Sequence, residues 1–147
     1  FMAYFQEAGL LEKISETKFS IFNPKETEDM ILSFLNANRD VKGIAVLNSR
    51  GYVVADILRR NGIDDICLMS FDLTSSNVKC IQNGSIAAVL CQRPELQGFY
   101  SVKSLIQWLL YRSIDGDMHY KMPIDVIFKE NLPFYREIAE SDTFKNR

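Results

Sequence analysis

Residues 43–92, GIAVLNSRGYVVADILRRNGIDDICLMSFDLTSSNVKCIQNGSIAAVLCQ, alternate short apolar runs with longer amphipathic ones. Gly43–Leu47 (GIAVL), Ile66–Phe71 (ICLMSF) and Ile86–Cys91 (IAAVLC) have the length and apolar continuity of buried strands. Between the first two lies Gly51–Arg60, which reads as a helix with Val53, Val54, Ile57 and Leu58 on its inward face and Asn61-Gly62 as its stop. Between the second and third, a shorter helix runs from Thr74 to Asn83, opened by hydroxyl caps and closed by Gly84. Strand and helix repeated at this spacing predict βαβ units with right-handed crossovers. The predicted fold class is α/β, a mostly parallel, doubly wound sheet with helices on both faces.

Outward from this stretch the same alternation continues. Downstream, Pro94 to about Tyr111 reads as the longest helix, Asp115-Gly116-Asp117 as a polar link, and Ile124–Phe128 (IDVIF) as a last strand. Upstream, Lys18–Phe22 (KFSIF) has the period-2 character of a strand. Asn23, Pro24 and Glu26 then mark a helix start, with Asn as N-cap, Pro at the first position and Glu three residues after the cap. Met30, Ile31, Phe34 and Leu35 share one face of that helix. Phe1 to about Ile14 reads as a helix interrupted at Gly9. Because Phe1 falls inside a helical pattern, the chain is expected to be a piece of a longer one.

Composition narrows the function classes. Nineteen acidic residues against 17 Lys and Arg give a formal charge of −2, with no basic cluster. Phosphate neutralisation needs clustered Lys and Arg, so a self-sufficient nucleic-acid-binding module is not expected. The longest unbroken apolar run, Ile86–Cys91, is far shorter than the roughly 20 residues of a bilayer span; no membrane association is expected. Cys67, Cys80 and Cys91 match no zinc spacing. Two of them lie in apolar runs, where a reduced, buried thiol is the ordinary state, and a cytoplasmic setting follows. His119 is the single histidine, in a polar stretch with no nucleophile motif nearby. No dinucleotide, P-loop, zincin or nucleophile-elbow pattern occurs. No metal, cofactor or catalytic residue is therefore expected. The Asn83-Gly84-Ser85 sequon reads as a turn.

In doubly wound sheets, ligands bind beyond the carboxyl ends of the strands. Asn48 follows the first strand of residues 43–92, Asp72 the second and Gln92 the third. A carboxylate accepts two hydroxyl hydrogen bonds, and amides match neighbouring hydroxyls as both donor and acceptor. Each residue alone has a local reading, Asp as cap of the next helix and Asn as turn former. Together they are the candidate ligand-binding set.

Four stretches carry a resemblance: GIAVLNSRGYVVADILRRNGIDDI, CLMSFDLTSSNVKCIQNGSIAAVLCQRPELQGFYSV, PIDVIFKENL and the opening FMAYFQEAGL. They resemble the ligand-binding region of the lactose-repressor type of bacterial transcription regulator, whose fold is that of periplasmic sugar-binding proteins. The SFD segment is similar to the family's strand-ending Gly-Phe-Asp, with Ser70 in place of Gly. The resemblance implies the C-terminal lobe of a periplasmic-binding-protein-like fold, lacking most of the N-terminal lobe. Residues 1–91 and 122–130 would form this far lobe, and the helix over 94–112 would pack on the missing near lobe. It also implies that Asn48, Asp72 and Gln92 contact a small-molecule effector, usually a sugar. A further arginine of the family pattern and the DNA-binding head lie outside these residues.

The expected function is effector sensing in a cytoplasmic sugar-responsive regulator. Closure of a two-lobe cleft would alter DNA binding by a head that this chain lacks. The alternative is an extracytoplasmic sugar-binding or sensor protein of the same fold. A remote alternative is an α/β enzyme pairing Asp72 with Asp56 or Asp65, but these acids lie along a helix face and a loop, where solvated charge is the better account. Phe99, Val102, Leu105, Ile106, Trp108, Leu109 and Leu110 make the 94–111 helix apolar around much of its circumference. An uncovered patch of this size is rare on a soluble monomer, so a homo-oligomer is expected.

Overall fold

A computed structural model describes residues 2–18, 23–112 and 121–135. The chain divides into two compact units, residues 1–39 and 40–147. The predicted strand Lys18–Phe22 and His119 lie outside the described residues, apart from Lys18 itself.

The first unit is helical. Helix α1 spans only Met2–Glu7, and Gly9 at φ +66° ends it before a 3-10 turn at Leu11–Lys13. The expected interruption at Gly9 is present, because a left-handed residue breaks the i to i−4 ladder, and a single 3-10 turn follows it in place of the further α-helix expected. Helix α2, Pro24–Ala37, begins where its caps predict: the Asn23 side chain accepts the Glu26 N–H at 3.3 Å. Thr27 and Ile31 are its buried residues, whereas Met30 is exposed.

The second unit holds the sheet, β1 (Gly43–Ala45), β2 (Cys67–Phe71), β3 (Ala88–Cys91) and β4 (Asp125–Ile127), in that spatial order. β1, β2 and β3 are parallel, and β4 is antiparallel to β3. All four strands are shorter than their apolar runs. Leu47, for example, lies past the end of β1 and is largely exposed. Helix α3 (Gly51–Arg60) connects β1 to β2, and α4 (Ser75–Gln82) connects β2 to β3. The two helices pack on each other.

Side chains alternate across the sheet. Ser70, Val89 and Ile127 stand in register on adjacent strands and share a face with Leu68. All four are at most 1% exposed, as is Ile81 of α4, with Val54 and Ile57 of α3 at 2%. Burying each large aliphatic side chain contributes about 1.5–3 kcal/mol. The other face, with Met69, Phe71 and Leu90, is only half-buried, and Val126 on it is exposed.

This alternation corrects the reading of the thiols. Cys67 sits on the half-buried face at the start of β2 and is exposed, while Cys80 and Cys91 are intermediate; all three are free. Burial and the neighbouring Asp56 charge push the Cys80 thiol up from its ordinary value. The sequon is a turn: Gly84 has φ +83°, and the Ser85 N–H donates to Asn83 Oδ1 at 3.0 Å.

Helix α5, Pro94–Tyr111, matches its predicted bounds but buries none of its residues. Phe99, Val102, Leu105, Ile106, Trp108, Leu109 and Leu110 are all exposed. Arg112 closes the helix at φ +50° with its guanidinium 5.4 Å from the Trp108 ring centroid. Among the described residues no helix is long and apolar enough to cross a membrane.

Candidate functional site at the carboxyl edge of the sheet

Backbone hydrogen bonds bring the three strand ends into line. The Phe71 N–H donates to the Asn48 carbonyl at 3.2 Å, and the Asp72 N–H donates to the Leu90 carbonyl at 2.8 Å, two residues before Gln92. Asn48, Asp72 and Gln92 therefore lie along one edge of the parallel strands, where the alternation of elements placed them.

Their side chains are not equally engaged. Asn48 Oδ1 accepts the Arg50 N–H at 2.9 Å, an Asx turn leading into α3, so the local reading of this residue is realised in part. Its amide nitrogen has no partner among the described residues. The Asp72 carboxylate and the Gln92 side-chain amide also have none; Asp72 is half-buried and Gln92 exposed. The backbone of Asp72 is unusual. Its φ of +61° is left-handed, which costs an L-residue roughly 1–2 kcal/mol and is least unfavourable for Asn and Asp.

Two buried polar side chains tie this edge together, and both are fully excluded from solvent. Ser70 Oγ donates to the Asn48 carbonyl at 3.0 Å and accepts the Gly51 N–H at 3.1 Å. Asn77 spreads its two amide protons over the carbonyls of Ser49, Phe71 and Asp72 at 2.9–3.0 Å, while its Oδ1 accepts the Tyr52 N–H at 3.1 Å. Gly51 is obligatory against Ser70: a Cβ there would stand 2.3 Å from Ser70 Oγ.

Sequence reading did not single out Asn77. Within SSNVKC it passes for a polar helix residue, and its signal was its place three residues after the Thr74 cap, whose side chain accepts its N–H at 3.2 Å. A further ion pair was missed as well. Arg93, at φ +51°, closes on Asp125 with two hydrogen bonds, Nε to Oδ2 at 2.5 Å and a terminal nitrogen to Oδ1 at 2.9 Å. The Arg93 hydrogen bonds hold the Asp125 carboxyl below its ordinary value, and burial followed by the Asp125 charge pushes the Tyr135 phenol up. Arg93 and Asp125 stand 32 residues apart, so no local pattern joins them.

The acids considered for an enzyme are occupied elsewhere. Asp56, half-buried, pairs with the exposed Arg59 and Arg60 on α3, at 2.8 and 2.9 Å, and Asp65 with Lys42 at 3.0 Å, both exposed. Lys42 lowers the Asp65 carboxyl below its usual range.

A parallel sheet with unpaired hydroxyl-matching groups at its carboxyl edge suits a small polyhydroxy ligand, and comparison with known proteins agrees on the fold. Residues 1–111 match the periplasmic binding protein domain family. The chain belongs to that family. A protein from Bacteroides fragilis assigned as a LacI transcriptional regulator is 34% identical over 74% of this periplasmic binding protein chain, with a TM-score of 0.67. An ABC transporter solute-binding protein from Agrobacterium vitis, bound to α-D-tagatopyranose, is 23% identical over 86%, TM-score 0.72. A solute-binding protein from Burkholderia graminis in complex with D-arabinose is 21% identical over 85%, TM-score 0.71. This chain spans 37%, 44% and 46% of those structures, less than half of each. No curated protein is significantly similar to it.

Proposed function

We propose that this periplasmic binding protein domain is the effector-sensing part of a cytoplasmic bacterial transcription regulator of the lactose-repressor type, and that its effector is a sugar. The supporting observation is the 34% identity to the Bacteroides fragilis protein, the only one of the three structures above that is assigned as a regulator. Asn48, Asp72 and Gln92 are the ligand contacts in this reading, each following one of three adjacent parallel strands. Sugar binding would shift an equilibrium between open and closed cleft forms and so change DNA affinity in a head outside these residues. No step of this function is catalytic. Self-association through the open face of α5 belongs to the same proposal.

Calorimetry on the protein at full family length tests it, with D-arabinose, D-tagatose and myo-inositol as probes. At least one sugar should bind, and Asp72→Ala should weaken it about tenfold or more, since hydrogen bonds to a carboxylate are the strong ones. No binding, or binding that ignores Asp72, overturns the assignment of the site. The solute-binding proteins of the same fold favour a second reading, an extracytoplasmic sugar carrier or sensor. A sugar-dependent change in DNA retention would exclude it.

A further inference from the structure

The left-handed backbone of Asp72 is a strained feature of the carboxyl edge. Strained residues of this kind persist where surrounding bonds over-determine them. Around Asp72 these bonds are its own N–H to the Leu90 carbonyl at 2.8 Å, the Thr74 N–H to its carbonyl at 3.0 Å, and the Asn77 side chain to the same carbonyl at 2.9 Å. Only the last comes from a side chain, and that side chain is fully buried. Through Ser49 and Tyr52, the same amide grips the turn that carries Asn48.

We infer that Asn77 is a positioning residue for the ligand-binding edge: it fixes the left-handed conformation of Asp72 and holds the Asn48 turn in register with it, without itself touching ligand. The part of this inference that concerns ligand rests on the proposed sugar site; the backbone part does not. Removing the amide would deprive the Tyr52 N–H of its acceptor and the Ser49, Phe71 and Asp72 carbonyls of one donor each, and free Asp72 to relax to negative φ.

Nuclear magnetic resonance on the protein reads the backbone directly, because the HN–Hα coupling and Cα shift of Asp72 report its φ. In Asn77→Ala, Asp72 should lose its left-handed signature, and the Tyr52 amide should exchange at least about tenfold faster, as expected for a lost buried hydrogen bond. If Asn77→Ala does not fold, Asn77→Ser, which keeps a short polar group at the helix start, serves the same comparison. An Asp72 signature unchanged in a folded variant with a deprotected Tyr52 amide overturns the inference. The second arm is affinity for D-arabinose, D-tagatose and myo-inositol at full family length. A fall of about tenfold or more accompanying the changed signature supports positioning. A changed signature with unchanged affinity leaves Asn77 as the backbone lock but defeats Asp72 as a ligand contact.

Discussion

The helices α3 and α5 are both amphipathic or apolar by sequence and both begin and end where their residues predict, yet one is buried and the other is not. α3 places Val54, Ala55, Ile57 and Leu58 in the core of the second unit, against a sheet face whose central residues are fully covered. α5 carries more large apolar residues and buries none. The difference lies in what the chain provides opposite each helix. Apolar content says that a face must be covered, and only topology says what covers it. The parallel strands supply a partner surface for α3 and α4 within this chain, and nothing among the described residues does so for α5.

The sharpest way to break this comparison is to truncate both helices. Ile57→Ala on α3 should cost about 2–5 kcal/mol in urea denaturation, the usual range for emptying a filled core site. Trp108→Asp on α5 should change the stability of the dilute chain by no more than about 0.5 kcal/mol, as for an exposed position. Sedimentation at micromolar concentration completes the test: the parent chain should self-associate, and Trp108→Asp should return it to monomer. Equal costs at the two sites would mean that α5 is packed in solution.

A smaller effect is expected at the junction of α3 with the strand ends. Gly51→Ala should destabilise the chain by about 1–3 kcal/mol, because the new methyl meets Ser70 inside hard contact. Ser70→Gly in the same chain should restore part of that loss, since it clears both atoms the methyl would strike. Failure of the second change to help would show that the helix start yields instead of the serine.

The carboxyl edge of these strands was legible because period and spacing placed Asn48, Asp72 and Gln92 after apolar runs. Less legible were the features that depend on distant partners. The direction of β4 is decided by where the chain returns to the sheet, and IDVIF reads alike in either direction. The side-chain bonds of Asn77 go to four residues, two at the start of α3 and two at the end of β2, and no propensity encodes them. Strand lengths were overread because apolar runs extend past the strand ends, as at Leu47, even though the Phe71 N–H still reaches the Asn48 carbonyl at 3.2 Å. The exposure of Cys67 followed from the face it occupies, which only register reveals.

The smallest expected effect lies at the Arg93–Asp125 pair, which sits beside α5 but belongs to the sheet. Asp125 has an ordinary value near 3.8 that Arg93 lowers in the folded chain. A carboxylate with a depressed folded value stabilises above its unfolded value, and that contribution disappears as pH falls through the folded one. Asp125→Asn should therefore melt slightly below the parent at pH 7, and the gap should close in acid, below the ordinary carboxylate range. A gap that persists unchanged at low pH would assign the effect to packing and not to charge.

Cys91 pairs directly with Asp125 across antiparallel strands, so β3 and β4 form a hairpin whose connection is everything between them, including the whole of α5. In chain-entropy terms this is an outsized loop rather than a link in the βαβ series, and closure cost grows only slowly with its length. The loop's roots are fastened together by the Arg93 fork. The register of β3 against β4 is therefore set at the base of the excursion, by strand pairing and the Arg93 fork, and not by the apolar surface of α5, none of whose residues is buried.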